Sequence, residues 1–266
     1  MAFLSQRLCF ACCLALTSIG VVNAQSFAAL VSPPRFELTG TPGKTVRAVV
    51  EITNADSHSA QYKIKTADWS LDKDSGVQFQ DALQPGSCRP WVAIERREIT
   101  VSAGAKIRYR FEINPPANTP ATECRFALMI EGGDSAVETK GGLSFPVNGR
   151  IGLIVYLAVG AVAPQLEVVG SRVNLVNGVM TPVIVVKNSG NAHGRLTGFL
   201  NGTDSARNKL EFTPSNLPIL AGETQTVPLS VNQEEGKTIA IRFPITINGT
   251  LEWDDKRIPF EQRFAK

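Results

Sequence analysis

Histidine is almost missing from this chain. There are two in 266 residues, His58 and His193, which excludes histidine-rich metal sites. No glycine-rich phosphate-binding motif occurs, so nucleotide-driven chemistry has no support. Charge imbalance is also lacking. Lys and Arg total 27 against 24 Asp and Glu, and a formal net charge of +3 is too weak for a nucleic-acid footprint. The 22 glycines and 16 prolines are dispersed, which excludes collagen-like and low-complexity classes. With 43% hydrophobic and 19% charged residues, the chain is not disordered as a whole. Helical periodicity with end caps is absent.

The first residues have the character of an address. Met1 to Arg7 is short with one positive charge, Cys9 to Val22 is dominated by apolar residues, and Val22-Asn23-Ala24 ends on a small side chain. This pattern predicts a secretory signal peptide over 1–24, cleaved after Ala24, and the apolar stretch is too short to span a membrane comfortably. Cys9, Cys12 and Cys13 leave with it, so Cys88 and Cys124 remain. An exported chain with two cysteines is expected to join them. A bridge across 36 positions stabilises by about 4 kcal/mol in the loop-entropy picture.

The mature chain reads as strands. Thr45–Asn54 places Val46, Ala48, Val50 and Ile52 on one face. Ala60–Trp69 sets Tyr62 and Ile64 against Lys63 and Lys65, and Ile107–Ile113 sets Ile107, Tyr109, Phe111 and Ile113 against Arg108, Arg110 and Glu112. Cys124–Ile130 is a further strand, and so are Val183–Lys187, Leu196–Leu200, Thr226–Val231 and Ile239–Ile247. Such short alternating runs, rich in β-branched and aromatic residues, are strands. Asn177-Gly178, Asn201-Gly202 and Asn248-Gly249 predict hairpin turns, and Asp72-Lys73-Asp74-Ser75-Gly76 reads as another turn rather than a calcium loop. The apolar run Ile151–Ala163 is broken by Gly152 and Gly160 and suits a strand buried on both faces. It ends at Pro164, which marks a domain boundary. The prediction is an all-β protein of two immunoglobulin-like β-sandwich domains in tandem, 25–163 and 164–266.

Three segments carry a resemblance: Ser32-Pro33-Pro34-Arg35-Phe36-Glu37-Leu38-Thr39-Gly40, Thr100–Lys106 with the following strand and Asn114-Pro115-Pro116, and Leu143–Leu153. In these and in its layout the chain resembles the periplasmic pilus-assembly chaperones, a family of two immunoglobulin-like domains. The resemblance implies a periplasmic, non-enzymatic protein without cofactor. It implies capture of incomplete pilus or fimbrial subunits by donation of the G strand, with the subunit's C-terminal carboxylate held by two basic residues in the cleft. The implied partners are pilus subunits and an outer-membrane usher. On this sequence the implied donor residues are Leu143, Phe145, Val147 and Ile151, which alternate with Ser144, Pro146, Asn148 and Arg150. Two roles fit that apolar face: packing its own domain core, or insertion into a subunit groove. Pro146 favours an edge strand. The first implied anchor is Arg35, whose guanidinium suits a carboxylate.

The chain departs from the family at Gly152, where the second basic anchor belongs, and at Tyr156, where a further basic residue sets the domain angle. Arg150, two residues before Gly152 on the same strand face, is the substitute anchor expected from the sequence. An exposed apolar donor edge also favours self-association through the G strand. The alternative is a secreted or surface-displayed immunoglobulin-like structural or adhesive protein without a donor strand. An exported enzyme has little support, since His58 and His193 both fall in loop-like segments and read as surface residues.

Overall fold

The computed structural model describes residues 27–72, 76–132, 149–232 and 240–266, together with the backbone of two short strands at 135–138 and 144–147. Alternating burial builds the first sandwich. Its strands are β1 (Ala29–Ser32), β2 (Arg35–Gly40), β3 (Val46–Asn54), β4 (Ala60–Leu71), β5 (Val77–Gln80), β6 (Val92–Ile94), β7 (Glu98–Val101), β8 (Lys106–Ile113), β9 (Thr122–Gly132), β10 (Ser135–Glu138), β11 (Ser144–Val147) and β12 (Arg150–Val159). One sheet runs β1-β3-β8-β6; the other runs β2-β12-β9-β4, with β5 and β7 also on β4. Ala48, Val50 and Ile52 of β3 and Tyr109, Phe111 and Ile113 of β8 point inward. They meet Phe126, Leu128 and Ile130 of β9 and Leu153, Val155, Leu157 and Val159 of β12. Phe36, Phe111 and Phe126 form an edge-to-face series, with centroids 5.4 and 6.1 Å apart. Cys88 and Cys124 are joined, with Cα atoms 5.6 Å apart, tying the loop before β6 to β9.

The second sandwich comprises β13 (Leu166–Val176), β14 (Val179–Asn188), β15 (Gly194–Arg195), β16 (Leu200–Thr203), β17 (Lys209–Pro214), β18 (Pro218–Ile219), β19 (Thr224–Val231), β20 (Ile245–Trp253) and β21 (Lys256–Phe264). The path is β13-β14-β19-β17-β16-β20-β21. Strand β19 makes the corner. Its residues 224–228 pair with β14, and its residues 229–231 pair with β17. Ile184, Val186, Phe212, Val227, Leu229, Ile245, Ile247 and Leu251 fill the space between. The fold is all-β, with two immunoglobulin-like sandwiches in tandem. No helix among the described residues is long and apolar enough to cross a membrane.

Asn177-Gly178 turns the β13–β14 hairpin, with φ of 49° and 79°, as a two-residue primed turn requires. The other two Asn-Gly pairs are not turns. Asn201 of β16 and Asn248 of β20 lie directly opposite each other in mid-ladder. Their glycines serve close approach: a Cβ on Gly202 would run into Phe212, and one on Gly249 would meet the carbonyl of Phe199. The turn between β20 and β21 falls at Asp254-Asp255 instead, with Asp254 at φ 48°. Leu196–Leu200 is also not a continuous strand. Thr197 makes an isolated bridge to Glu252, Gly198 at φ 143° turns the chain out of the ladder, and pairing resumes only at Leu200, the first residue of β16. The expected strand at Ile239–Ile247 begins at Ile245, after Pro244, which has no N–H to offer a ladder. Ile239 itself lies outside the described residues.

Each sandwich ends one of its long strands on a buried asparagine. Asn54 closes β3 and donates Nδ2 to the carbonyls of His58 and Val101, while its Oδ1 accepts from Asp56 N–H. Asn188 closes β14 and donates to Ala192 and Ile219, while its Oδ1 accepts from Gln165 and Gly190. Both are fully buried. A buried amide whose donors and acceptor are all met ties one strand end to two loops, and truncation orphans those loop groups. Asn188→Ala is expected to destabilise the second domain by about 3 kcal/mol, read as a shift in its urea midpoint. A change near zero would remove Asn188 from this role.

Candidate functional site

Strand β12 has an incomplete edge. On one side Arg150–Val159 pairs antiparallel with β9, from Arg150↔Glu131 to Val159↔Thr122. On the other side it pairs parallel with β2, but only from Ile154↔Arg35 onward. Among the described residues no strand pairs with Arg150–Leu153 on that side. The reason lies in Ser32-Pro33-Pro34. The chain crosses there from β1 in one sheet to β2 in the other, and neither proline can donate to a ladder. Arg35, the first residue of β2, therefore stands at the inner end of the open edge.

The expected donor positions divide. Ile151 is partly buried and packs against its own domain core. Phe145 and Val147 fall on β11, whose backbone pairs with β10, including Ala136↔Pro146; their side chains lie outside the described residues, as does Leu143 altogether. Strand β11 thus has β10 as its partner on one side.

Residues 152, 154 and 156 of β12 share the face turned away from the first domain's core. Ile154 and Tyr156 belong to a separate cluster with Ala67, Trp69, Ala127 and Met129, which Leu220 of the second domain caps. Strand β12 is buried on both faces as its sequence predicts. Phe79 of β5 folds over this face and lies on Gly152: a Cβ there would run into the Phe79 ring. Gly152 is the space Phe79 occupies, so the position can carry no long basic side chain without displacing that ring.

Tyr156 is the joint between the domains. His193, from the loop after β14, stacks on its ring at 3.8 Å and 18°, and Trp69 meets it edge-on at 5.6 Å. Arg195 of β15 donates Nη2 to the Tyr156 hydroxyl at 3.4 Å. Burial pushes the Tyr156 phenol up to about 12, although the nearby Arg195 charge acts the other way. Glu123 of β9 accepts the backbone N–H of His193 at 2.9 Å and contacts its ring Nδ1 at 2.8 Å. Asn191 adds a link, accepting the N–H of Ala163 on its side chain at 3.0 Å. His193 is therefore not the surface residue its loop-like sequence predicts; its side chain is 9% exposed. Glu123 lies 70 positions away, a pairing that sequence reading alone cannot see. His58 does lie at the surface, beside Asp56.

The cleft beside this joint has a volume of about 300 Å³ and is lined by Arg35, Trp69, Ile154, Tyr156, Arg195 and Leu217, among others. Arg35 is half-exposed and donates Nε to Glu37 Oε1 at 2.7 Å. The Nε of Arg195 lies 3.8 Å from the same oxygen. Burial lowers Arg195 below the ordinary guanidinium value; the charge of Arg35 lowers it further, while Tyr156 and Glu37 raise it. Arg150 is not brought to this place. It is exposed at the start of β12, opposite Glu131. It lies four residues ahead of Ile154, the partner of Arg35, which is about 13 Å along a strand. Gly152, covered by Phe79, lies between them. The cleft cation that sequence reading missed is Arg195. Its sequence signal was absent, because nothing in a short second-domain strand points to a first-domain cleft.

No protein-family model matches the chain, and no curated protein sequence matches it either. Several solved structures are similar to it. The class 5 fimbriae chaperone CfaA is 13% identical, with 90% of this chain and 99% of that chain covered and a TM-score of 0.47. The E. coli chaperone DraB is 10% identical over 89% and 99%, at 0.47. The CsuC–CsuE chaperone and tip adhesion subunit complex of Acinetobacter baumannii Csu pili is 13% identical over 90% and 100%, at 0.45. At such identities no residue role is carried over.

The contact between Gly152 and Phe79 gives a direct expectation. Gly152→Ala should destabilise the first domain by about 1–3 kcal/mol through overpacking. In a Phe79→Ala background the same change should cost less than about 0.5 kcal/mol, because the clash is gone. A double-mutant cycle by urea denaturation measures this, and equal costs in both backgrounds would show that Phe79 does not constrain the position.

Proposed function

We propose that the chain is a periplasmic, non-enzymatic chaperone for pilus or fimbrial subunits. It captures a subunit by strand addition along β11 and the open edge of β12, and it grips the subunit's C-terminal carboxylate at Arg35. The observation that carries this reading is the alignment of the open edge with the cleft. A guest strand laid beside Arg150–Leu153 continues the line of β2, whose first residue is Arg35. If its C-terminal carboxylate meets Arg35, that guest strand runs parallel to β12. Main-chain bonds then supply affinity, and alternate side chains of the donor supply selectivity.

Within this reading Leu143, Phe145 and Val147 are the inserted donor residues. Ile151, already half-buried against its own core, anchors the donor strand to its domain. Arg150 is the nearest basic residue on the donor strand itself. The leader over 1–24 and export to the periplasm are part of the same proposal, and they agree with the joined Cys88–Cys124 pair, which persists in oxidising compartments. An outer-membrane usher is the partner that would receive the loaded chaperone.

Burial of one large apolar side chain is worth about 1.5–3 kcal/mol, or roughly 10- to 100-fold in affinity. Phe145→Asp is therefore expected to weaken capture of the encoded fibre subunit by at least that factor. Arg35→Ala should weaken it by a similar amount through loss of a charge-assisted bond. Co-expression in the periplasm followed by pull-down and titration measures both. Undiminished co-purification of the two variants would favour the structural or adhesive reading instead.

A further inference from the structure

Arg195 is a partly buried cation with no carboxylate at hydrogen-bond distance among the described residues. Its side chain is 17% exposed. One Nη1 bond goes to the Asn216 carbonyl at 2.8 Å and one Nη2 bond to Tyr156 at 3.4 Å. Its Nε is buried and has no hydrogen-bond partner among the described residues. A guanidinium carries five N–H donors, so most of its capacity is unspent. The nearest carboxylate oxygen is Glu37 Oε1, at 3.8 Å, beyond hydrogen-bond reach, and Arg35 already holds that oxygen at 2.7 Å. His193 Nε2 lies 3.8 Å from it as well. Two guanidinium groups thus share one carboxylate and leave an excess of positive charge in the cleft. Trp69, Leu71, Ile154 and Leu217 are among its walls, so the local dielectric is low and the imbalance is costly.

We propose that Arg195 is the second cation of a carboxylate site in this cleft, facing Arg35 across the domain boundary. A bound carboxylate replaces the missing counter-charge and bridges the two domains through one fork from each. Arg150 takes no part in it. The source of the carboxylate rests on the chaperone reading, in which it is a polypeptide C-terminus; the chemistry of the site does not. Glu37 competes with the ligand for both arginines, so its neutralisation should tighten binding.

The test is an NMR titration of the full-length protein, following the arginine Nε–Hε signals. The Arg35→Lys and Arg195→Lys variants assign them. The probes are a short acetylated peptide of alternating valine and serine as its free acid, the same peptide as its C-terminal amide, and acetate alone. The free acid is expected to shift both arginine signals, and the amide neither. Arg195→Ala should weaken binding of the free acid about tenfold or more, Arg195→Lys by less, and Arg150→Ala not at all, while Glu37→Gln should strengthen it. Acetate shifting both signals as readily as the free acid supports the site and makes a free small carboxylate its ligand. The proposal is overturned if the acid moves Arg35 alone, if acid and amide act alike, if neither acid nor acetate shifts Arg195, or if Glu37→Gln weakens binding. Subunit capture reports separately on the chaperone reading. A chain that binds the free acid through both arginines but captures no subunit keeps the site and loses the chaperone. One that captures a subunit undiminished by Arg195→Ala keeps the chaperone and loses the second cation.

Discussion

Strand β12 has apolar side chains on both of its faces, and most of the molecule can be understood as what covers them. Leu153, Val155, Leu157 and Val159 turn toward the opposing sheet and form part of the first domain's core. Ile154 and Tyr156 turn the other way, where an isolated sandwich would meet water. Burying a residue the size of tyrosine is worth a few kcal/mol, so this second face calls for a cover. The second domain supplies it with Leu220 and with the stacked ring of His193. The contact between the domains is therefore a continuation of core packing, with Tyr156 shared between the two.

That arrangement has a cost in polar groups, and the site grows out of how it is met. Covering Tyr156 brings His193 and Arg195 into a place of low dielectric, where charges must be paired or remain expensive. Glu123 serves His193 through two contacts, on the backbone and on the ring. Glu37 is left to serve Arg35 and Arg195 together, and it satisfies only the first at hydrogen-bond distance. On the same strand face, Phe79 covers Gly152, so no charge can enter from β12 itself. The positive character of the cleft consequently comes from β2 and β15, one element from each domain. An anion bound as proposed would also sense how the domains are set against each other.

The strands were largely legible in the sequence, since alternation with a period of two depends only on neighbours along the chain. Val46–Asn54 and Lys106–Ile113 could be marked to within a residue or so, and the double burial of β12 followed from its near-continuous apolar run. Asn-Gly pairs were less faithful guides. Asn177-Gly178 is a turn, but at Gly202 the Phe212 ring and at Gly249 the Phe199 carbonyl come too close for a Cβ, and a local pattern cannot separate these two causes. The site was legible only on its first-domain side. Arg35 stands out by its context, whereas Arg195 and His193 acquire meaning through Tyr156, Glu37 and Glu123, all distant in the chain. Arg150 stood out for its place beside Gly152, and the structure sets it about 13 Å along β12 from the partner of Arg35, with Gly152 and Phe79 between.

The open edge and the position of Arg35 share a single origin in Pro33-Pro34. A strand lacking prolines at this crossing could extend β2 backward and pair with Leu153, Gly152 and Ile151, closing the edge of β12 altogether. Two successive residues without an N–H prevent that extension and make β2 begin at Arg35. The same two residues thus leave the main-chain groups that Arg150–Leu153 turn toward this side without a strand partner among the described residues, and set a guanidinium at the point where pairing resumes. Unpaired strand edges are ordinarily a liability, prone to indiscriminate pairing. Here the edge is short, it is flanked by a charged cleft, and Gly152 and Phe79 fill the face beside it. On the chaperone reading proposed above, an extended segment that fits presents both free main-chain groups and a terminal negative charge in line with β2. Satisfying either requirement alone leaves a cost, either in orphaned backbone groups or in an uncompensated cation, and that double requirement is what would make the edge selective.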